Sequence, residues 1–203
     1  MPKLIALRRA RKGKGVLPPN PTRWEHEHNA LDLRHELDLP LDARLSHDDA
    51  FGLLPNVQVL SHLELQIDAS TKDHFNGQSS GRWSGMCVQY PNGSTLVMYN
   101  GHHPERRIRA TLMEEFFHLW LEHPTEKLRL LGNGEGRREY DGTKETEAYG
   151  SGAAALVPYQ PLKAMLAAGR VVREIADHFF VSEPLVQFRI RVSKLKRPAM
   201  RKC

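Results

Sequence analysis

The chain has 203 residues, 40% of them hydrophobic and 26% charged, with a net charge of +5 at neutral pH. These values fit a globular protein with one good core, and no apolar run approaches the roughly 20 residues that a membrane-crossing helix needs. Two cysteines, Cys87 and Cys203, exclude a disulfide framework; with a start that lacks the apolar stretch of a secretory signal, they predict a reducing, cytoplasmic location.

Residues 1–24 are basic (Lys3, Arg8, Arg9, Arg11, Lys12, Lys14) and then proline-rich, which predicts a poorly ordered arm. A helix is expected over 25–37, with Leu31 and Leu33 among its apolar positions. Ser46 is a good N-cap for a short helix through Phe51 and Leu54 that Pro55 closes. Residues 57–60 read as a strand, and the Ser-, Gly- and Asn-rich stretch 68–81 as a loop. Residues 83–90 and 94–99 are rich in β-branched and aromatic residues and flank Pro91-Asn92-Gly93, which predicts a hairpin with Asn-Gly in the turn. From Ile108 the pattern turns helical and is expected to stay so to the end. Strands first and helices after predict an α+β fold.

The helix beginning near Ile108 carries the chemistry. Leu112, Met113, Phe116, Phe117, Leu119, Trp120 and Leu121 cover almost its whole circumference, as in a buried helix. Glu114, Glu115 and His118 lie in its middle, where carboxylates need a cation, a metal or a wet cavity. Glu114 and His118 are four apart, one turn from each other, so both can grip one ion while Glu115 leans over it as a base. This is the H-E-x-x-H arrangement with glutamate in place of the first histidine. The bland alternative is a surface helix with a stray Glu–His pair, and the apolar girdle argues against it.

A second helix is expected from a cap at Asp141 or Thr143 through Ala155, ending before Pro158. Glu145, Ala148 and Gly152 share one face of it. Gly150 and Gly152 each cost about 1 kcal/mol in a helix interior, which makes sense if another helix must approach closely. Such an approach would bring Glu145 to Glu114 and His118. Glu147, about 200° around from Glu145, is expected to point elsewhere.

Together these residues resemble the ImmA/IrrE family of metallopeptidases. The family pattern R-x-T-L-A-H-E-x-G-H corresponds here to Arg109, Thr111, Leu112, Met113, Glu114, Glu115 and His118. The pattern E-x-E-A-x-x-F-A-A-x-L-L-x-P corresponds to Glu145, Glu147, Ala148, the run Gly152-Ala-Ala-Ala-Leu156 and Pro158. Trp83, Ser84 and Asn100 stand where the family has its hairpin and the loop to the helix, and the likeness spans about residues 26–193. It implies a zincin-like α+β domain: a small sheet, made of the hairpin and a further strand, packed on an active-site helix pair, with a helical C-terminal tail. The corresponding division is an arm over 1–24, the peptidase domain over 25–160, helix–turn–helix-like helices over 161–195 packed on it, and a basic tail over 196–203.

The resemblance further implies that His118 and Glu145 are metal ligands, with Glu114 in the first-histidine position, and that Glu115 is the general base acting on metal-bound water. The expected cofactor is one divalent metal, zinc first. The expected substrate is a helix–turn–helix repressor or regulator, in stress responses or mobile-element control. Glu114 is read as the mark of an E-E-x-x-H branch. Carboxylate can replace imidazole on zinc, but a second carboxylate neutralises the ion, lowers the acidity of bound water and makes manganese or iron more competitive. Tyr140, Tyr149 and His178 are candidates for stabilising an oxyanion. His102, His103 and His123 are left outside the site, the last as a histidine suited to a helix C-terminus.

Near the C-terminus, residues 171–179 are expected to form one helix, and Ser182 to cap the next, with Val181 and Val186 as a hydrophobic staple. Leu185, Val186, Phe188, Ile190 and Val192 make that second helix too apolar to read a DNA groove, so packing on the domain is expected. Arg189, Arg191, Lys194 and Lys196, with the basic termini, keep nucleic acid as a second partner class. The competing function is a non-catalytic relative that binds DNA or a repressor. No membrane partner is expected, and the sequence leaves the oligomeric state open.

Overall fold

Seven helices and a small mixed sheet make an α+β fold among the described residues of this computed structural model, which are 17–19, 21–66, 68, 83–124, 128–130, 136–138 and 141–195. The basic arm before residue 17, most of the 68–81 loop, Tyr140, the 196–203 tail and Cys203 lie outside the described residues. No helix among those described is long and apolar enough to cross a membrane.

Helix α1 runs Trp24–Glu36, and α2, His47–Phe51, starts where the Ser46 hydroxyl accepts from the Asp48 and Asp49 amides. Strand β1 (Val57–Ser61) follows, then β2 (Gly85–Gln89) and β3 (Thr95–Tyr99). β3 is the centre of the sheet: β1 pairs with it in parallel, Val57 opposite Thr95, and β2 antiparallel, Gly85 opposite Tyr99. The hairpin turn is wider than a bare Asn-Gly pair. The Tyr90 amide donates to the Ser94 carbonyl and the Gly93 amide to the Tyr90 carbonyl, with Gly93 at φ 84°, the left-handed region glycine tolerates best.

Helix α3 (Glu105–Trp120) then leads to two short antiparallel strands, β4 (Leu128–Leu130) and β5 (Gly136–Arg138). This ribbon corrects the expectation of unbroken helix after Ile108. Three-residue arms are too short to show a period of two in sequence. Helices α4 (Gly142–Leu156), α5 (Tyr159–Ala167), α6 (Val172–Phe179) and α7 (Glu183–Val192) complete the chain.

α4 is the middle layer, with α3 on one side and α1 on the other. A Cβ on Gly152 would lie 3.0 Å from the Met113 carbonyl carbon and oxygen of α3, and one on Gly150 would lie 2.2 Å from His26 Nδ1 of α1. The two glycines therefore serve opposite faces, and the backbones come close because no side chain intervenes. At the C-terminal end of α4, orphan carbonyls take arginine donors: Arg34 Nε to the Ala155 oxygen at 2.9 Å and Arg189 Nε to the Val157 oxygen at 2.9 Å. α4 is thus anchored from both α1 and α7.

Candidate active site

The geometry starts from α3. Leu112, Met113, Phe116 and Phe117 are fully buried, and Phe116 stacks on Trp120 and meets Phe51 edge-on, with ring centroids 5.4 and 5.6 Å away. Arg109 of the same helix is a strut: its Nε donates to the Phe180 carbonyl at 3.0 Å and an Nη to the Leu45 carbonyl at 2.7 Å. With the helix so fixed, Glu114, Glu115 and His118 are half-buried on its remaining flanks.

Glu114 and His118 face α4. His118 Nε2 is 3.4 Å from Glu145 Oε1, the cross-helix meeting expected from the close glycine approach. Burial first, then the neighbouring negative charges of Glu115 and Glu145, push the Glu114 carboxyl up to about 8. Around neutrality it therefore holds its proton unless a cation offsets that field. No three His, Cys, Asp or Glu side chains among the described residues are gathered tightly enough to grip a metal. Oxygen and nitrogen donors on two rigid helices, in a field that favours positive charge, fit a divalent metal.

Glu115 turns the other way, onto β2. Its Oε2 accepts from the Cys87 thiol at 3.1 Å, and a Cβ on Gly85 would lie 3.0 Å from its Oε1 and 2.7 Å from Thr111 Cγ2. Burial, and then the Glu115 carboxylate, hold the Cys87 thiol well above its ordinary range, so the sulfur remains a donor and not a thiolate nucleophile. Gly85 and Cys87 lie two apart on one face of β2, a signal readable in the sequence once the strand is placed beside the helix.

Of the oxyanion candidates, Tyr149 lies on α4 in the field of Glu114, and its ring packs on Phe188 of α7 with centroids 5.0 Å apart. Burial and then Glu114 raise its phenol, which keeps the hydroxyl protonated. His178 is exposed and turned to the Asp42 carbonyl, 2.9 Å from its Nε2. Tyr140 lies outside the described residues.

Two residues set aside in the sequence reading touch the site. His123 Nδ1 is 3.1 Å from His118 Nδ1, and its Nε2 is 3.2 Å from Glu147 Oε2. Glu147 reaches His118 only by way of His123, because the chain after α3 folds back over it. His102 and His103 stay with the hairpin. The His102 amide donates to Asn100 Oδ1, and the His102 ring meets buried His62 edge-on. Asn100 is itself fully buried and donates to the Trp83 carbonyl at 3.2 Å, tying the start of β2 to the end of β3.

A peptidase family model, described as the IrrE N-terminal-like domain, matches residues 64–191, from the end of the turn after β1 to the last turn of α7. No curated protein matches the chain.

Proposed function

The chain belongs to the metallopeptidase family whose model is the IrrE N-terminal-like domain, and from that premise we propose that it is a metal-dependent endopeptidase with Glu114, His118 and Glu145 as ligands and Glu115 as general base. The observation that carries this reading is the meeting of His118 Nε2 and Glu145 Oε1 across two helices at 3.4 Å, beside a carboxyl that burial and its neighbours keep protonated. A divalent ion there, zinc first with manganese or iron as competitors, would polarise the scissile carbonyl and ease the deprotonation of water.

The remaining work falls to the chain. Glu115, whose Oε2 accepts from the Cys87 thiol, is assigned to take the proton of the attacking water and pass it to the departing amine. Tyr149, held protonated, is assigned to donate to the developing oxyanion. Among the described residues β2 is one edge of the three-stranded sheet and carries Gly85 and Cys87 to Glu115, so we assign an extended substrate to it, where it would add main-chain hydrogen bonds. A helix–turn–helix repressor or regulator is the substrate class that the resemblance to ImmA/IrrE implies. Two carboxylate ligands leave a divalent ion formally neutral, so retention of metal and turnover are expected to be weaker than at an H-E-x-x-H site.

Metal content tests the reading. Natively purified protein and its Glu115→Gln variant should retain about one equivalent of metal by elemental analysis, and Glu114→Ala should lose it. Metal absent from the unaltered protein under native conditions, and not taken up from added zinc, manganese or iron, would support a non-catalytic relative that binds DNA or a repressor.

A further inference from the structure

The turn after α3 is built to return a histidine to the helix it has just left. The His123 amide donates to the His118 carbonyl at 2.9 Å and the Glu122 amide to the Leu119 carbonyl at 3.1 Å. Glu122 adopts φ 53°, the left-handed conformation that favours glycine. A non-glycine residue there costs on the order of 1 kcal/mol, and the return it permits sets the His123 ring against His118, centroids 5.1 Å apart. The His123 side chain is only 8% exposed, so its ring nitrogens need partners, and they have two: His118 and Glu147.

Proton placement along this chain of atoms follows from donor chemistry. An ionised Glu147 carboxylate can only accept, so the hydrogen in the 3.2 Å contact belongs to His123 Nε2. Neutral His123 then has a bare Nδ1, and the 3.1 Å contact between the two Nδ1 atoms requires the hydrogen on His118. With Nδ1 keeping its hydrogen, Nε2, which faces Glu145, is the nitrogen left to a cation, which would displace any hydrogen shared with that carboxylate.

We propose that His123 and Glu147 are positioning residues that keep a proton on His118 Nδ1 and so leave its Nε2 to a divalent cation between α3 and α4. The proposal rests on the metallopeptidase reading for its purpose, but the protons it assigns, on His123 Nε2 and His118 Nδ1, are there without metal. Outer partners of this kind typically alter metal affinity 10–100-fold.

Two measurements separate the relay from the metal site. The first is long-range ¹H–¹⁵N correlation of the imidazoles in metal-free protein at neutral pH. His123 should show the Nε2–H form and His118 a proton on Nδ1; a neutral His123 protonated at Nδ1 overturns the relay. The second is zinc affinity by competition with a chromophoric chelator. His123→Phe keeps a ring against His118 and removes its nitrogens, and should weaken zinc binding about 10–100-fold. Glu147→Gln should weaken it less, and it serves if the Phe variant misfolds. Wild-type affinity in a folded His123→Phe protein also overturns the relay. If the unaltered protein binds no zinc at all, the metal reading fails while the imidazole spectra still decide the tautomers.

Discussion

At the scale of single residues, Glu115, the proposed base, is defined as much by what is missing around it as by what touches it. Gly85 leaves room for Thr111 and for the Glu115 carboxylate on the face of β2 that meets α3, and Cys87 two residues on supplies the donor. A methyl group at position 85 would press on Thr111 Cγ2 at 2.7 Å, and neither a strand nor a helix backbone yields easily. Gly85→Ala should therefore cost about 1–3 kcal/mol by urea unfolding. Thr111→Ser removes the opposing methyl and should restore part of the loss when the two changes are combined. Strictly additive effects of the two substitutions would show that the clash is relieved elsewhere.

At the scale of elements, α4 decides the site because it is packed on both faces. The glycine pair makes opposite predictions for function. Gly152→Ala sets a methyl against the Met113 carbonyl and 3.2 Å from the Glu114 amide, so α3 and α4 must separate beside Glu114, one turn of α3 from where Glu145 meets His118. It should lose about 1–3 kcal/mol of stability and at least tenfold in zinc affinity by calorimetry. Gly150→Ala instead displaces His26 on α1 and should lose stability with zinc affinity nearly unchanged. Equal effects on affinity would remove the distinction between the faces. Much of this element was legible in the sequence: the Asp141 cap, the stop before Pro158, the costly glycines and the approach of Glu145 to the α3 pair. The layer order was not, because periodicity marks an apolar face without naming its partner. The His123–Glu147 contact was hidden for a related reason. It depends on a left-handed turn at Glu122, and helical-wheel angles do not extend past the end of a helix.

At the scale of the whole molecule, the C-terminal helices are fastened to the N-terminal one through buried charge. Arg189 of α7 pairs with Glu27 of α1, with side chains 2% and 3% exposed, while its Nε caps the Val157 carbonyl. Around the end of α6, the Arg44, Arg106 and Arg109 guanidiniums lie 5.1–5.6 Å from the Phe180 ring centroid. An apolar second helix and a basic terminus admitted both packing and nucleic-acid contact; the inward-facing Arg189 is the part that composition does not reveal. The same charge shapes the acid response. Burial first, then Arg23 and Arg189, lower the His26 imidazole to about 4, with Glu147 opposing. The folded protein thus binds this proton less readily than the unfolded chain, and stability present above about pH 6.5 is lost as pH falls toward 4. The loss is expected to be about 2 kcal/mol, below the full conversion of the shift because solvent screens part of it. Arg189→Met leaves Glu27 buried without its cation and should cost about 3–5 kcal/mol at pH 7. Replacing both, Glu27→Leu with Arg189→Met, removes the orphaned charge and should recover most of that. It also removes a cation beside His26, so the acid limb of the double variant should be shallower than that of the unaltered protein in thermal melts between pH 7 and 4. An unchanged acid limb would place the acid sensitivity on a group other than His26.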